Sequence, residues 1–80
     1  MGQKEQAFER MKQSRNMPWL LIGMRIEVDG KPGKVVGSNS SSNLDVVFDG
    51  QKHKSNCHPG WKTKYFLGKK VIAEDGRLIS

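Results

Sequence analysis

The chain has 80 residues, 35% of them hydrophobic, and a net charge of +6 from 14 Lys/Arg against 8 Asp/Glu. That is one small domain with a thin core, since a chain this short buries only about 60% of its unfolded surface. A single cysteine, Cys57, excludes an intramolecular disulfide framework and points to a reducing, cytoplasmic setting.

The charge is unevenly spread. Residues 1–20 sum to +2, residues 21–50 to −1 and residues 51–80 to +5. A clustered basic excess is the electrostatic footprint of a polyanion binder, although it also serves plain solubility. The most apolar run, Met17 to Met24, is interrupted by Pro18 and too short to span a bilayer, so no membrane association is expected. The start Met-Gly-Gln-Lys-Glu-Gln carries Gln6 where an N-myristoylation site needs Ser or Thr.

In chain order, Gln3 to Arg15 lacks Gly and Pro and is rich in helix formers. Ala7, Phe8 and Met11 share one helical face. Glu5 and Glu9 lie towards the start and Lys12 and Arg15 towards the end, which complements the helix dipole. A helix this short must dock or fray. Asn16 can close it and Pro18 prevents continuation, so residues 1–17 form an amphipathic helical segment ahead of a β domain at 18–80. Trp19 and Leu20 are expected to plug one end of that domain.

Met24, Ile26 and Val28 alternate with Arg25 and Glu27, the period-two pattern of a half-buried strand. Asp29-Gly30-Lys31-Pro32-Gly33 supplies turn chemistry, and Lys34-Val35-Val36 resumes an extended run. Ser38 to Asn43 is a polar loop suited to contacts. Leu44, Val46 and Phe48 mark a third strand, ended by the turn Asp49-Gly50. Asp45 and Asp49, four apart, suit edge solubility and turn capping better than catalysis. Lys52 to Asn56 forms a polar fourth strand in this reading. His58-Pro59-Gly60 turns, and Trp61 to Phe66 follows as a strand with Trp61, Thr63 and Tyr65 on one face. Lys70–Ala73 and Arg77–Ile79 flank Glu74-Asp75-Gly76 as a terminal hairpin.

The run GMRIEVDGKPGKVVG (23–37), with DVVFDG (45–50), resembles the opening of SH3-like barrels of the KOW and Tudor type. The resemblance implies a mainly β fold: an SH3-like small barrel of about five strands, preceded by the short α-helix. KOW-like modules imply RNA or ribosome-associated partners, and Tudor-like modules imply methylated side chains or nucleic acid. The Gly-Lys-Asn-Asp-Gly motif of CAP-Gly modules is absent, which sets that function aside.

His53, Cys57 and His58 are the soft-ligand candidates. Structural zinc usually takes four ligands in recognisable pairs, and adjacent Cys57 and His58 point to opposite faces of an extended segment. The same geometry disfavours a Cys–His nucleophile, leaving Cys57 as a buried small hydrophobe and His58-Pro59 as the start of a turn. The glycines lack phosphate-loop and dinucleotide spacings. No catalytic site, metal or cofactor is therefore expected.

The remaining signal is basic and aromatic. Lys52, Lys54, Trp61, Lys62, Lys64, Tyr65, Lys69 and Lys70 form the candidate nucleic-acid surface. Lys52 or Lys54 would join Lys62 and Lys64 on one face, while Trp61 or Tyr65 stacks on an unpaired base of RNA or single-stranded DNA. The alternative is a protein-interaction or assembly module that uses the helix, with Phe8 and Met11, the 38–43 loop or an exposed barrel edge. Nothing in the sequence specifies an oligomeric state.

Overall fold

A computed structural model describes residues 3–79, with side chains from Gln6 onward. The first two residues, Glu5 as a side chain and Ser80 lie outside it, so the acylation reading and the outermost limits of segments 1–17 and 18–80 do too. Helix α1 (Gln3–Ser14) precedes seven strands: β1 (Arg25–Val28), β2 (Lys31–Ser38), β3 (Leu44–Phe48), β4 (Ser55–Cys57), β5 (Thr63–Leu67), β6 (Lys70–Glu74) and β7 (Arg77–Leu78). The strands form one antiparallel sheet in the order β4-β3-β2-β1-β5-β6-β7. The sheet is open, with β4 and β7 at its edges, and the described residues hold seven strands where about five were expected.

Helix α1 ends as its sequence suggests. Asn16 takes a left-handed conformation (φ 55°). Its amide donates to Gln13 O and that of Met17 to Lys12 O, at 3.2 and 2.8 Å, the paired bonds of a Schellman cap. Met17 is buried there, as are Phe8 and Met11 on the inner stripe, while Ala7 faces solvent. The helix therefore docks on the sheet and closes the core with Leu20. Trp19 packs edge-on against Tyr65, centroids 4.9 Å apart at 75°.

Strand alternation sorts the core. Met24, Ile26, Val28, Val35, Leu44, Val46, Cys57, Tyr65 and Ala73 are buried. The β1–β2 turn is tighter than the sequence reading: Asp29 (φ 51°) and Gly30 (φ 81°) form it alone, and Lys31, Pro32 and Gly33 already pair with β1. Positive φ at both positions is the type I′ geometry whose twist suits a hairpin. Asp75 and Gly76 repeat it between β6 and β7. Two irregularities bend the sheet, between Val35 and Gly37 on β2 and between Tyr65 and Phe66 on β5.

Candidate functional site

The segment between β4 and β5 is short, polar on its outside and anchored from within. Pro59 is among the most deeply buried residues of the chain. Its carbonyl accepts two hydrogen bonds, from Thr63 Oγ1 at 2.8 Å and from the Tyr65 hydroxyl at 2.5 Å. His58 Nδ1 accepts from the Gly60 amide at 2.9 Å, and the Trp61 amide donates to His58 O at 3.2 Å. From the other side, the Thr63 amide donates to Asp75 Oδ1 (3.0 Å) and the Asp75 amide to Thr63 O (2.8 Å). The tight turn at Gly76 abuts the loop: a Cβ there would lie 3.3 Å from Pro59 O.

Lys62 completes the loop with φ 48°, a left-handed conformation uncommon for a side-chain-bearing residue. Its carbonyl accepts the Asp29 amide at 2.9 Å, fixing the loop to the β1–β2 turn. Outside this frame Trp61 is 51% exposed. The Lys62 ammonium lies 5.2 Å from the indole centroid and 3.7 Å from Asp29 Oδ1. A cation within about 6 Å of a Trp face is attracted by the ring quadrupole.

Arg15 joins two further segments to this end of the molecule. It donates from Nε to Ser42 O at 3.0 Å and from Nη2 to Asn43 Oδ1 at 3.0 Å, and its Nη1 lies 3.4 Å from His58 Nε2. The polar 38–43 loop is itself ordered by Asn39, whose Oδ1 accepts the Ser41 and Asn43 amides. The end of α1, the 38–43 loop and the 58–62 loop thus meet.

The eight residues read from sequence do not form one face. Tyr65 is a correction: it is fully buried, its ring against Trp19 and its hydroxyl on Pro59 O, so it has no surface on which a base can stack. Burial pushes its phenol well above the ordinary tyrosine range. The strand expected from Trp61 begins only at Thr63, because the left-handed Lys62 breaks the alternation and turns Trp61 outward. Lys52 and Lys54 precede β4 instead of lying within it, and β4 pairs with β3, three strands from β5. Pairing of the 52–56 segment with 61–66 is therefore corrected. Lys54 lies 3.9 Å from Asp45 Oδ2. Lys64 is exposed on β5, directly across from Glu27 on β1 and Glu74 on β6. Lys69 and Lys70 are at the β5–β6 turn, the end of β5 away from Trp61. Trp61 and Lys62 remain together.

Cys57 points into the core and His58 outward, as adjacent residues of an extended segment must. Burial pushes the Cys57 thiol up, with Asp45 adding to the effect. Sequence reasoning missed Arg15 as a bridge and the carboxylates that face several lysines. It also missed a groove of about 930 Å³ between α1 and the sheet, walled in part by Leu21 and Ile22. Three apolar residues in a row, Leu20-Leu21-Ile22, were its available signal, since neighbouring side chains cannot all face one core.

No protein-family model, curated protein or solved structure matches this chain.

Proposed function

We propose that the chain is a non-catalytic binding module for single-stranded nucleic acid, RNA or DNA, centred on the 58–62 loop. The observation that carries the reading is the half-exposed Trp61 on a loop pinned from inside by the Pro59 carbonyl. A rigid, exposed indole loses little freedom when a base stacks on it, and each stacked base contributes about 1–3 kcal/mol. Lys62 beside the ring supplies a phosphate contact, and the overall charge of +6 favours approach of a polyanion. Lys52, Lys54, Lys64, Lys69 and Lys70 act as a diffuse field around that point. Left-handed Lys62 adds weight, since locally strained residues gather at functional positions.

The same reading takes the domain as an SH3-like barrel of KOW or Tudor type, on the strength of the β1–β2–β3 meander over the residues that resemble one. It also takes the setting as cytoplasmic, given one free and buried cysteine. The test is backbone chemical-shift mapping with single-stranded RNA and DNA oligonucleotides at low salt. Shifts centred on residues 58–62 support the reading. Absence of binding at low salt, or shifts confined to other surfaces, overturns it.

A further inference from the structure

The groove between α1 and the sheet lies apart from the loop that carries Trp61, and it has a different chemistry. Its apolar lining comes from three elements: Phe8 from the helix, Leu20 to Ile22 from the connector and Val36 from β2. Leu20 and Phe8 are buried, but Leu21 and Ile22 are 54% and 55% exposed. Leu21 and Ile22 thus carry the groove's apolar lining out into solvent, and contiguous apolar surface of this kind marks interaction sites.

The rim is charged on both sides. Glu9, Arg10 and Lys12 line it from the helix, and Asp45 and Lys54 from the sheet side. Lys12 lies 3.5 Å from Glu9 and Lys54 lies 3.9 Å from Asp45, so among the described residues each rim carboxylate already has a lysine and Arg10 tips the balance positive. Lys12 also lies over the Phe8 ring, 5.8 Å from its centroid, so a cation borders the apolar floor itself.

We propose that this groove docks a segment of a partner protein whose apolar side chains are flanked by carboxylates. An amphipathic peptide lays apolar anchors into such a groove, and its flanking acids meet Arg10 on the helix side and compete with Asp45 for Lys54 on the other. Charge at a rim sets orientation and partner choice while the apolar contact supplies most of the affinity. A nucleic acid would leave Leu21 and Ile22 without a complementary surface, which is why a peptide is favoured here.

Two fluorescent peptides test this, each with leucines one helical turn apart, one flanked by glutamates and the other by lysines. The glutamate peptide binds at least about tenfold more tightly, and its chemical-shift changes centre on Phe8, Leu21, Ile22 and Val36. Replacing the exposed pair, Leu21→Ser with Ile22→Ser, weakens it about tenfold or more with the melting temperature unchanged. Arg10→Gln, a surface change, narrows the preference between the two peptides. Trp61→Ala leaves peptide binding intact, which separates this site from the nucleic-acid reading. Equal binding of both peptides, no binding of either, shifts located elsewhere, or displacement of the peptide by a single-stranded oligonucleotide overturns the proposal. So does a fatty acid that perturbs the groove when neither peptide does.

Discussion

The Tyr65 hydroxyl donates to the Pro59 carbonyl at 2.5 Å, joining a core strand to the loop that carries Trp61. Thr63 donates to the same oxygen, so two side chains two residues apart on β5 hold one peptide group. The consequence is a surface loop whose backbone is satisfied from the inside. Of its outward side chains, His58 serves the loop through Gly60 and Arg15 and Lys62 pairs with Asp29, while Trp61 stands half exposed.

Tyr65→Phe removes one of these donors and keeps the ring against Trp19. A stability loss of about 1–2 kcal/mol is expected by denaturant unfolding, since the carbonyl retains Thr63 as a partner. Trp61 fluorescence, isolated in a Trp19→Phe background, should become more accessible to a soluble quencher. Unchanged quenching would mean that the loop is rigid without the phenol.

Alkaline pH acts through the same residue. The Tyr65 phenol is raised by burial, whereas an unfolded tyrosine ionises near pH 10. Between those values the unfolded state has lost a proton that the folded state keeps. Stability is therefore fully present below about pH 10 and falls above it, by up to about 1.4 kcal/mol per pH unit. Ultraviolet titration should show phenolate appearing only together with unfolding. Tyrosine absorbance titrating near pH 10 in the folded protein would contradict the burial.

Arg25 and Asp49 form a two-pronged ion pair on the outer face, at 2.9 and 2.6 Å, from β1 to the residue after β3. The guanidinium holds the Asp49 carboxyl below its ordinary range and the carboxylate raises Arg25. A depressed acid contributes stability above its unfolded pKa and loses it as pH falls through the folded value. A double-mutant cycle with Arg25→Gln and Asp49→Asn should show a small favourable coupling that fades with added salt and below about pH 4. Coupling that persists at acid pH would show that the pair is not electrostatic.

Gly33 needs to be glycine for space. Its φ is not in the left-handed region, yet a Cβ would meet Val47 O at 2.9 Å, Val46 Cγ1 at 3.0 Å and the Phe48 Cα at 3.1 Å. Gly33→Ala should destabilise by about 1–3 kcal/mol through overpacking between β2 and β3. A neutral result in thermal unfolding would mean that the two strands separate easily.

Much of the first half of the sheet was legible because alternation and turn dipeptides agree there. Ile26 and Val28, then Leu44 and Val46, are buried as their spacing predicts, and Asp-Gly pairs turn the chain. The helix end was legible too, since Asn is one of the few residues that accept the left-handed cap at Asn16. The stretch around residue 61 misled because one backbone conformation, at Lys62, moves Trp61 off the face that Thr63 and Tyr65 occupy. That conformation is secured by the Asp29 amide, far away in sequence. The Arg25–Asp49 pair and the Arg15 bridge were hidden for the same reason: each joins residues 24 or more apart that only the sheet order brings together.

The central claim is that Trp61 is a stacking surface held ready by the Pro59 anchor. The most direct measurement is the affinity of the wild-type chain and of Trp61→Ala for a single-stranded RNA, as a function of salt. Binding should weaken steeply as salt rises. The variant should lose about tenfold to a hundredfold in affinity at unchanged melting temperature. Equal affinity of the two proteins at low salt would contradict it.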